Sequence, residues 1–357
     1  MNDKILPAIL SCSGTYLTDE EKYFFNNHPP LGINLFSRNI KNKQQLKNLI
    51  TEIKNVIPRD NILIAIDQEG GRVRRLREPD FRSYSAAIDI GSLSQEQGIL
   101  AASLQAELIS DDLHLCGINV NYAPVLDIIY PNTTPALKSR CYSTNAQKTT
   151  ALGKATINTY VQNAIIPCIK HIPGHGRATI DPHLHLPRIT ASLQELEQDI
   201  YPFQQLANSP LGMTAHIVIE AIDKEFPITQ SPKAINLLIR KNIGFDGFLL
   251  SDAIDMHALK GNIGERTKLS LNSGCDAICY AMGNLEEMQQ IADNCQYISD
   301  KSLERFAKLT KILHNKYKRK DIKNLEKQYN SLVGKITPYQ EEYDATEVLN
   351  KLNSTNK

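Results

Sequence analysis

The stretch Ile165-Ile166-Pro167-Cys168-Ile169-Lys170-His171-Ile172-Pro173-Gly174-His175-Gly176 decides the fold. It opens as a short β-type apolar run, 165–169, and ends in two adjacent ionisable side chains joined to a Pro-Gly turn. Such a run reads as a buried strand. Ionisable groups at the exit of a buried strand are costly in a purely structural protein. The same grammar recurs along the chain. Apolar runs at 8–10, 32–36, 62–66, 118–122, 212–215, 247–250 and 276–280 bring the candidate strands to eight. Asp67 follows the third, Asp127 the fourth, His216 the sixth and Asp252 the seventh. Between them lie segments with helical spacing and caps, 42–56, 94–116, 146–163, 192–207 and 231–241, each long enough for a crossover helix. Alternating strands and helices imply parallel pairing, and eight such units fit a closed barrel of roughly 250 residues or somewhat more. The chain is therefore expected to form an α/β fold, a TIM-like (β/α)8 barrel over 1–300, its polar strand ends lining one cavity.

From 301 to 357 the expectation is a C-terminal helical extension: a closing helix and a polar tail. Leu303, Phe306, Leu309, Ile312 and Leu313 keep helical spacing, and Lys316, Lys318, Arg319 and Lys320 follow. This basic run reads as a solvated helix end, with a contact for an acidic partner as the alternative. The tail from 336 to 357 is expected to dock loosely.

Composition narrows the class. The 357 residues carry 40 Lys+Arg against 39 Asp+Glu, a formal charge of +1, which gives long-range steering toward nucleic acid or an anionic membrane little support. Seven cysteines, odd in number and without paired CxxC spacing, read as reduced and mostly buried thiols. No stretch approaches 18 apolar residues and the start lacks a basic leader, so a cytoplasmic location is expected. The oligomeric state is not legible.

Three motifs carry the chemistry. Asp67-Gln68-Glu69-Gly70-Gly71-Arg72-Val73 leaves a strand with paired glycines that let a ligand approach closely. It reads either as a structural turn or as a hydroxyl-binding site in which Asp67 accepts and Arg75 donates. Lys170 and His171 precede Asp181-Pro182-His183-Leu184-His185. Pro182 biases Asp181 toward an extended conformation, so Asp181 and His183 fall on one side of the chain. A carboxylate there orients the ring and favours imidazolium, as a proton donor and acceptor near neutral pH requires. Asp252 ends the seventh run, where it either attacks a sugar's anomeric carbon or caps the next helix. A metal-dependent hydrolase using His183, His185, His216, Lys170 and Asp252 is the competing chemistry; the HxH pair, in a loop after two glycines and a proline, counts against it.

Taken together, the motifs resemble glycoside hydrolase family 3, and within it the single-domain β-N-acetylhexosaminidases of bacterial peptidoglycan recycling. The likeness rests on 67–73, Asn121-Tyr122-Ala123-Pro124-Val125-Leu126-Asp127, 170–176 with Asp181 and His183, Met213-Thr214-Ala215-His216, and Gly244-Phe245-Asp246-Gly247 leading to Ser251-Asp252. The resemblance implies a single catalytic domain that releases GlcNAc from muropeptide fragments such as GlcNAc-1,6-anhydroMurNAc, with retention of configuration. It implies Asp252 as nucleophile, His183 as general acid/base and Asp181 as its orienting partner. Sugar binding falls to Asp67, Arg75, Arg140, Lys170 and His171, with no metal or organic cofactor and a small carbohydrate as the partner. The alternatives are a β-glucosidase-type member of the family and a non-catalytic sugar-binding barrel.

Overall fold

The computed structural model describes residues 5–182 and 184–334. Eight strands close a barrel: β1 (Leu6–Ser11), β2 (Pro30–Leu35), β3 (Leu63–Ile66), β4 (Val120–Asn121), β5 (Ile166–Ile172), β6 (Leu211–Thr214), β7 (Phe248–Ala253) and β8 (Ala277–Cys279). Each pairs in parallel with its neighbours in chain order, and β8 returns to β1 through Ala8↔Ile278 and Ile9↔Cys279. The expected fold class and all eight strand positions hold.

The period of two explains how the barrel fills. Leu63 and Ala65 of β3, Ile166 and Cys168 of β5, and Phe248 and Leu250 of β7 belong to one buried cluster that also takes residues from the other five strands. Alternate residues such as Ile64 and Ile66 pack outward among the helices instead. Side chains two apart share a face of a strand. The same alternation therefore carries Asp67, Lys170 and Asp252 to the inner side of the barrel's C-terminal end, where chemistry sits in this architecture.

The helices start where their caps predict. Asn42 Oδ1 accepts the Gln45 amide at the head of helix Lys43–Val56, and Ser94 and Asn145 do the same for Gln97 and Lys148 in helices Gln95–Cys116 and Ala146–Gln162. Two segments differ from expectation. The 192–207 segment is α-helical only over Glu197–Gln205, because Ser192 and Glu195 cap each other in a separate turn first. The 231–241 segment winds as a π-helix, Ala234–Ile243, and stops at Gly244, whose φ of 78° suits glycine.

Helix Asp300–Thr310 seals the floor: Phe306 and Leu309 join the barrel-interior cluster, and Arg305 pairs with Asp276 and Asp246. The basic run beyond it is not simply solvated. Arg319 Nε donates to buried Asp111 at 2.8 Å, and Lys320 pairs with Glu107, so the acidic partner is the chain's own helix 95–116. The expected tail, 336–357, lies outside the described residues. Six of the seven cysteines are buried and all are free. Among the described residues no helix is long and apolar enough to cross a membrane.

Candidate active site

The exits of β3 and β5 meet at Lys170. Its ammonium is buried, 2.9 Å from Asp67 Oδ1 and 2.6 Å from Glu69 Oε1. Arg75 Nη2 takes the other Asp67 oxygen at 3.2 Å, and Arg140 binds Glu69 with both Nε (2.9 Å) and Nη2 (2.8 Å). Two partly buried carboxylates are thus answered by three cations. Burial alone would raise their pKa values, but Lys170 and Arg75 hold Asp67 well below the usual carboxylate range, and Arg140 with Lys170 hold Glu69 at about 2. For Lys170, burial pulls its pKa down, yet the two carboxylates leave it raised. All five side chains are charged at neutral pH. Among the described residues Arg75 Nε is buried with no hydrogen-bond partner.

A second group adjoins the first. His171 Nδ1 lies 2.7 Å from Asp127 Oδ2 and donates to it, and Nε2 lies 3.4 Å from Arg140 Nη2. Burial raises the Asp127 pKa, but His171 and the amide of His175, 2.7 Å from Oδ1, leave it lowered. The His175 ring packs edge-on against His171 at 5.7 Å, and among the described residues neither of its nitrogens has a hydrogen-bond partner. Burial first, then His171, push its pKa down to about 4.

That depression gives a stability prediction with a definite sign. The unfolded chain binds this proton from about pH 6.5 and the folded one only near 4, so stability is full above about 6.5 and declines as pH falls to about 4, by about 3 kcal/mol in all. His175→Gln, neutral throughout, removes this component. Urea midpoints at pH 7.0 and 4.5 should draw together in the variant; an unchanged spread would show that His175 does not titrate this way.

Asp252 stands in β7, and its charge is felt at His175, Cys168 and Cys279. Its Oδ1 accepts the Ala253 amide at 2.8 Å, and the Ala253 carbonyl is 3.0 Å from His216 Nε2. His216 Nδ1 meets Thr229 Oγ1 at 2.8 Å, so the ring braces the end of β7. Asp181 is buried in the loop after β5, and its carbonyl accepts the amides of Leu184 and His185; His185 itself is exposed. His183 lies outside the described residues.

The structure therefore brings Asp67, Arg75, Arg140, Lys170 and His171 into one network, with Asp252 near enough for its charge to act on Cys168 and His175, and Asp181 in the loop after β5. Sequence reasoning omitted Glu69 and His175 as site residues. Glu69 had a signal: it is two residues past Asp67 in the hairpin Gln68–Gly70 with Val73–Arg74, which turns it back toward β5. His175 had none beyond its place after the Pro-Gly turn.

Known proteins resemble this chain over most of its length. Residues 13–312 match the family described as glycosyl hydrolase family 3 N terminal domain. A beta-hexosaminidase of Neisseria meningitidis serogroup B is 33% identical over 302 residues, covering 81% of this chain and 82% of that protein. One from Neisseria gonorrhoeae is 34% identical over 281 residues, 76% of this chain and 77% of its own length. The solved structure of NagZ from Neisseria gonorrhoeae in complex with N-trifluoroacetyl-D-glucosamine superposes with a TM-score of 0.83 at 27% identity, over 93% of this chain and 99% of that one. With barrel, motif order and relatives in agreement over most of its length, the chain belongs to glycoside hydrolase family 3.

Proposed function

We propose that this family 3 member is a retaining exo-β-N-acetylglucosaminidase that releases GlcNAc from muropeptide fragments such as GlcNAc-1,6-anhydroMurNAc, in the cytoplasm, as a step of peptidoglycan recycling. The observation that supports the reading is that Asp67, Lys170 and Asp252, at the ends of three strands, all act on the one buried thiol of Cys168 inside the barrel, in a chain whose relatives are named beta-hexosaminidase.

In this reading Asp67, Arg75, Arg140, Lys170 and His171 hold the non-reducing sugar by its hydroxyls. Charged donors and acceptors fixed to one another in advance lose little freedom on binding. Asp252 attacks the anomeric carbon as His183 protonates the glycosidic oxygen. The C1–O bond to the leaving group breaks and a C1–O bond to the carboxylate forms. Water then attacks C1, His183 takes its proton, and Asp252 departs as carboxylate, giving β-GlcNAc. Asp181 keeps the imidazole oriented. Each step as written uses side chains alone.

The test is hydrolysis of p-nitrophenyl β-GlcNAc beside the corresponding β-glucoside, by wild type and His183→Ala. The expected result is a clear preference for the GlcNAc substrate and a loss of roughly 10² to 10⁴ in kcat for the variant. Faster glucoside cleavage would favour a β-glucosidase instead, and GlcNAc binding without turnover a non-catalytic sugar-binding barrel.

A further inference from the structure

We infer that Tyr329, on the C-terminal helix, is a positioning residue of the sugar pocket, and that residues 317–329 form a strap seating the loop that carries Asp67 and Glu69. The inference rests on the proposed sugar-binding role of that loop.

Helix Ile322–Val333 lies along helix Gln95–Cys116, and Tyr329 is its buried side chain. The Tyr329 hydroxyl donates to Gln105 Oε1 at 2.5 Å and accepts the Ser85 amide at 3.0 Å. Both contacts lead to the acid loop. Gln105 Nε2 donates to the Glu69 carbonyl at 3.2 Å, and the Glu69 carboxylate holds Lys170 and Arg140. Ser85 backs the glycine turn: a Cβ on Gly70 would sit 2.3 Å from the Ser85 carbonyl and 2.9 Å from Gln105 Nε2, and Gly70 has φ 106°. Next to it, the Gly71 amide donates to the Tyr84 carbonyl at 2.9 Å. One phenol thus fastens the two supports against which the turn is pressed.

The strap is itself anchored. Tyr317 stacks on His114 at 4.0 Å and donates to Asp111 at 3.0 Å, beside the Arg319–Asp111 and Lys320–Glu107 pairs. Arg82 joins Glu326 on the helix to Asp112, which also accepts from Tyr84. The anchors run from the C-terminal segment to helix 95–116 and to residues 82–85, the wall behind Asp67 and Glu69. Gln105 also lines a cavity of about 20 Å³ together with Glu69, Arg140, Tyr142 and Tyr160, space for about one water. Without the phenol, the hydrogen bond to the Glu69 carbonyl loses its fixed partner.

Tyr329→Phe removes the hydroxyl and keeps the ring. Two readouts test it in the full chain: amide hydrogen exchange of segments covering 67–76, and KM and kcat on p-nitrophenyl β-GlcNAc. The expected result is faster exchange in 67–76 but not in helix 43–56, with KM raised roughly five- to tenfold and kcat changed less than twofold, the scale of one lost hydrogen bond. Gln105→Ala should give the same KM, and the double variant no further increase. A purely structural role would lower the unfolding midpoint and the active fraction while leaving KM alone, and that result, or additive effects, would overturn the inference. Should wild type fail to cleave the substrate, the proposed function falls, and exchange alone decides: unchanged rates in 67–76 refute the strap.

Discussion

Asp252→Asn should fold as wild type does and lose at least about 10³-fold in kcat on p-nitrophenyl β-GlcNAc, the largest effect expected of any single substitution in the site. Asparagine keeps the shape of the side chain and an oxygen that accepts the Ala253 amide, now 2.8 Å from Asp252 Oδ1. The His216 contact to the Ala253 carbonyl does not involve the carboxylate at all. What disappears is the anionic oxygen that forms the bond to C1, for which a neutral amide is no replacement. Binding of GlcNAc should survive within a few-fold, because the proposed sugar contacts come from the Lys170 network across the cavity. Measured kcat, thermal midpoint and GlcNAc affinity separate these expectations. Full activity in the variant would end Asp252's candidacy as nucleophile, and an unfolded variant would recast the residue as structural.

The legible part of this protein is the part written with a local period. In β3, β5 and β7 the inward positions 63/65/67, 166/168/170 and 248/250/252 alternate without a break from aliphatic, sulfur-bearing or aromatic residues to Asp, Lys and Asp. A reader of the sequence who counts in twos arrives at the cavity. Even β4, only Val120–Asn121 as a strand, was marked by its apolar run. Pairings between distant segments left no such trace. Nothing near Arg319 announces Asp111, 208 positions away, nor does Tyr329 announce Gln105, 224 positions away. Those ion pairs and the phenol contact are decided by where two helices come to lie, and a basic run looks the same on paper whether it meets solvent, a partner or its own helix. Arg140 shows the intermediate case. It was identified through family likeness as a sugar ligand, yet its Nε and Nη2 are engaged by Glu69, so any part it plays toward sugar includes fixing that carboxylate.

Lys170→Met is the second large effect, and it strikes stability and activity together. The Lys170 side chain is 2% exposed and its ammonium lies between two carboxylates, so the substitution leaves the partly buried Asp67 and Glu69 with one ion-paired cation each. Removing one member of a buried ion pair costs about 3–5 kcal/mol, because the remaining charge stays desolvated and only partly answered. Methionine fills a similar length, so packing around Tyr122, whose ring lies 6.0 Å from the ammonium, changes little and the loss is electrostatic. The pH dependence identifies the cause. In wild type the depressed carboxylates contribute stability that is present above their unfolded pKa values near 4, and lost only as pH falls toward about 2 for Glu69 and lower still for Asp67. In the variant, burial acts with less opposition and both pKa values rise, so that protonation occurs at higher pH. The urea midpoint of Lys170→Met should therefore lie well below wild type at pH 7, and the gap should narrow as pH falls below about 4, where wild type loses the carboxylates' contribution and the variant has less of it to lose. Its KM for p-nitrophenyl β-GlcNAc should rise with the loss of the donor and the loosening of both acids. A gap that stayed constant as pH fell from about 4 toward about 2 would mean that Lys170 supports the fold through packing alone.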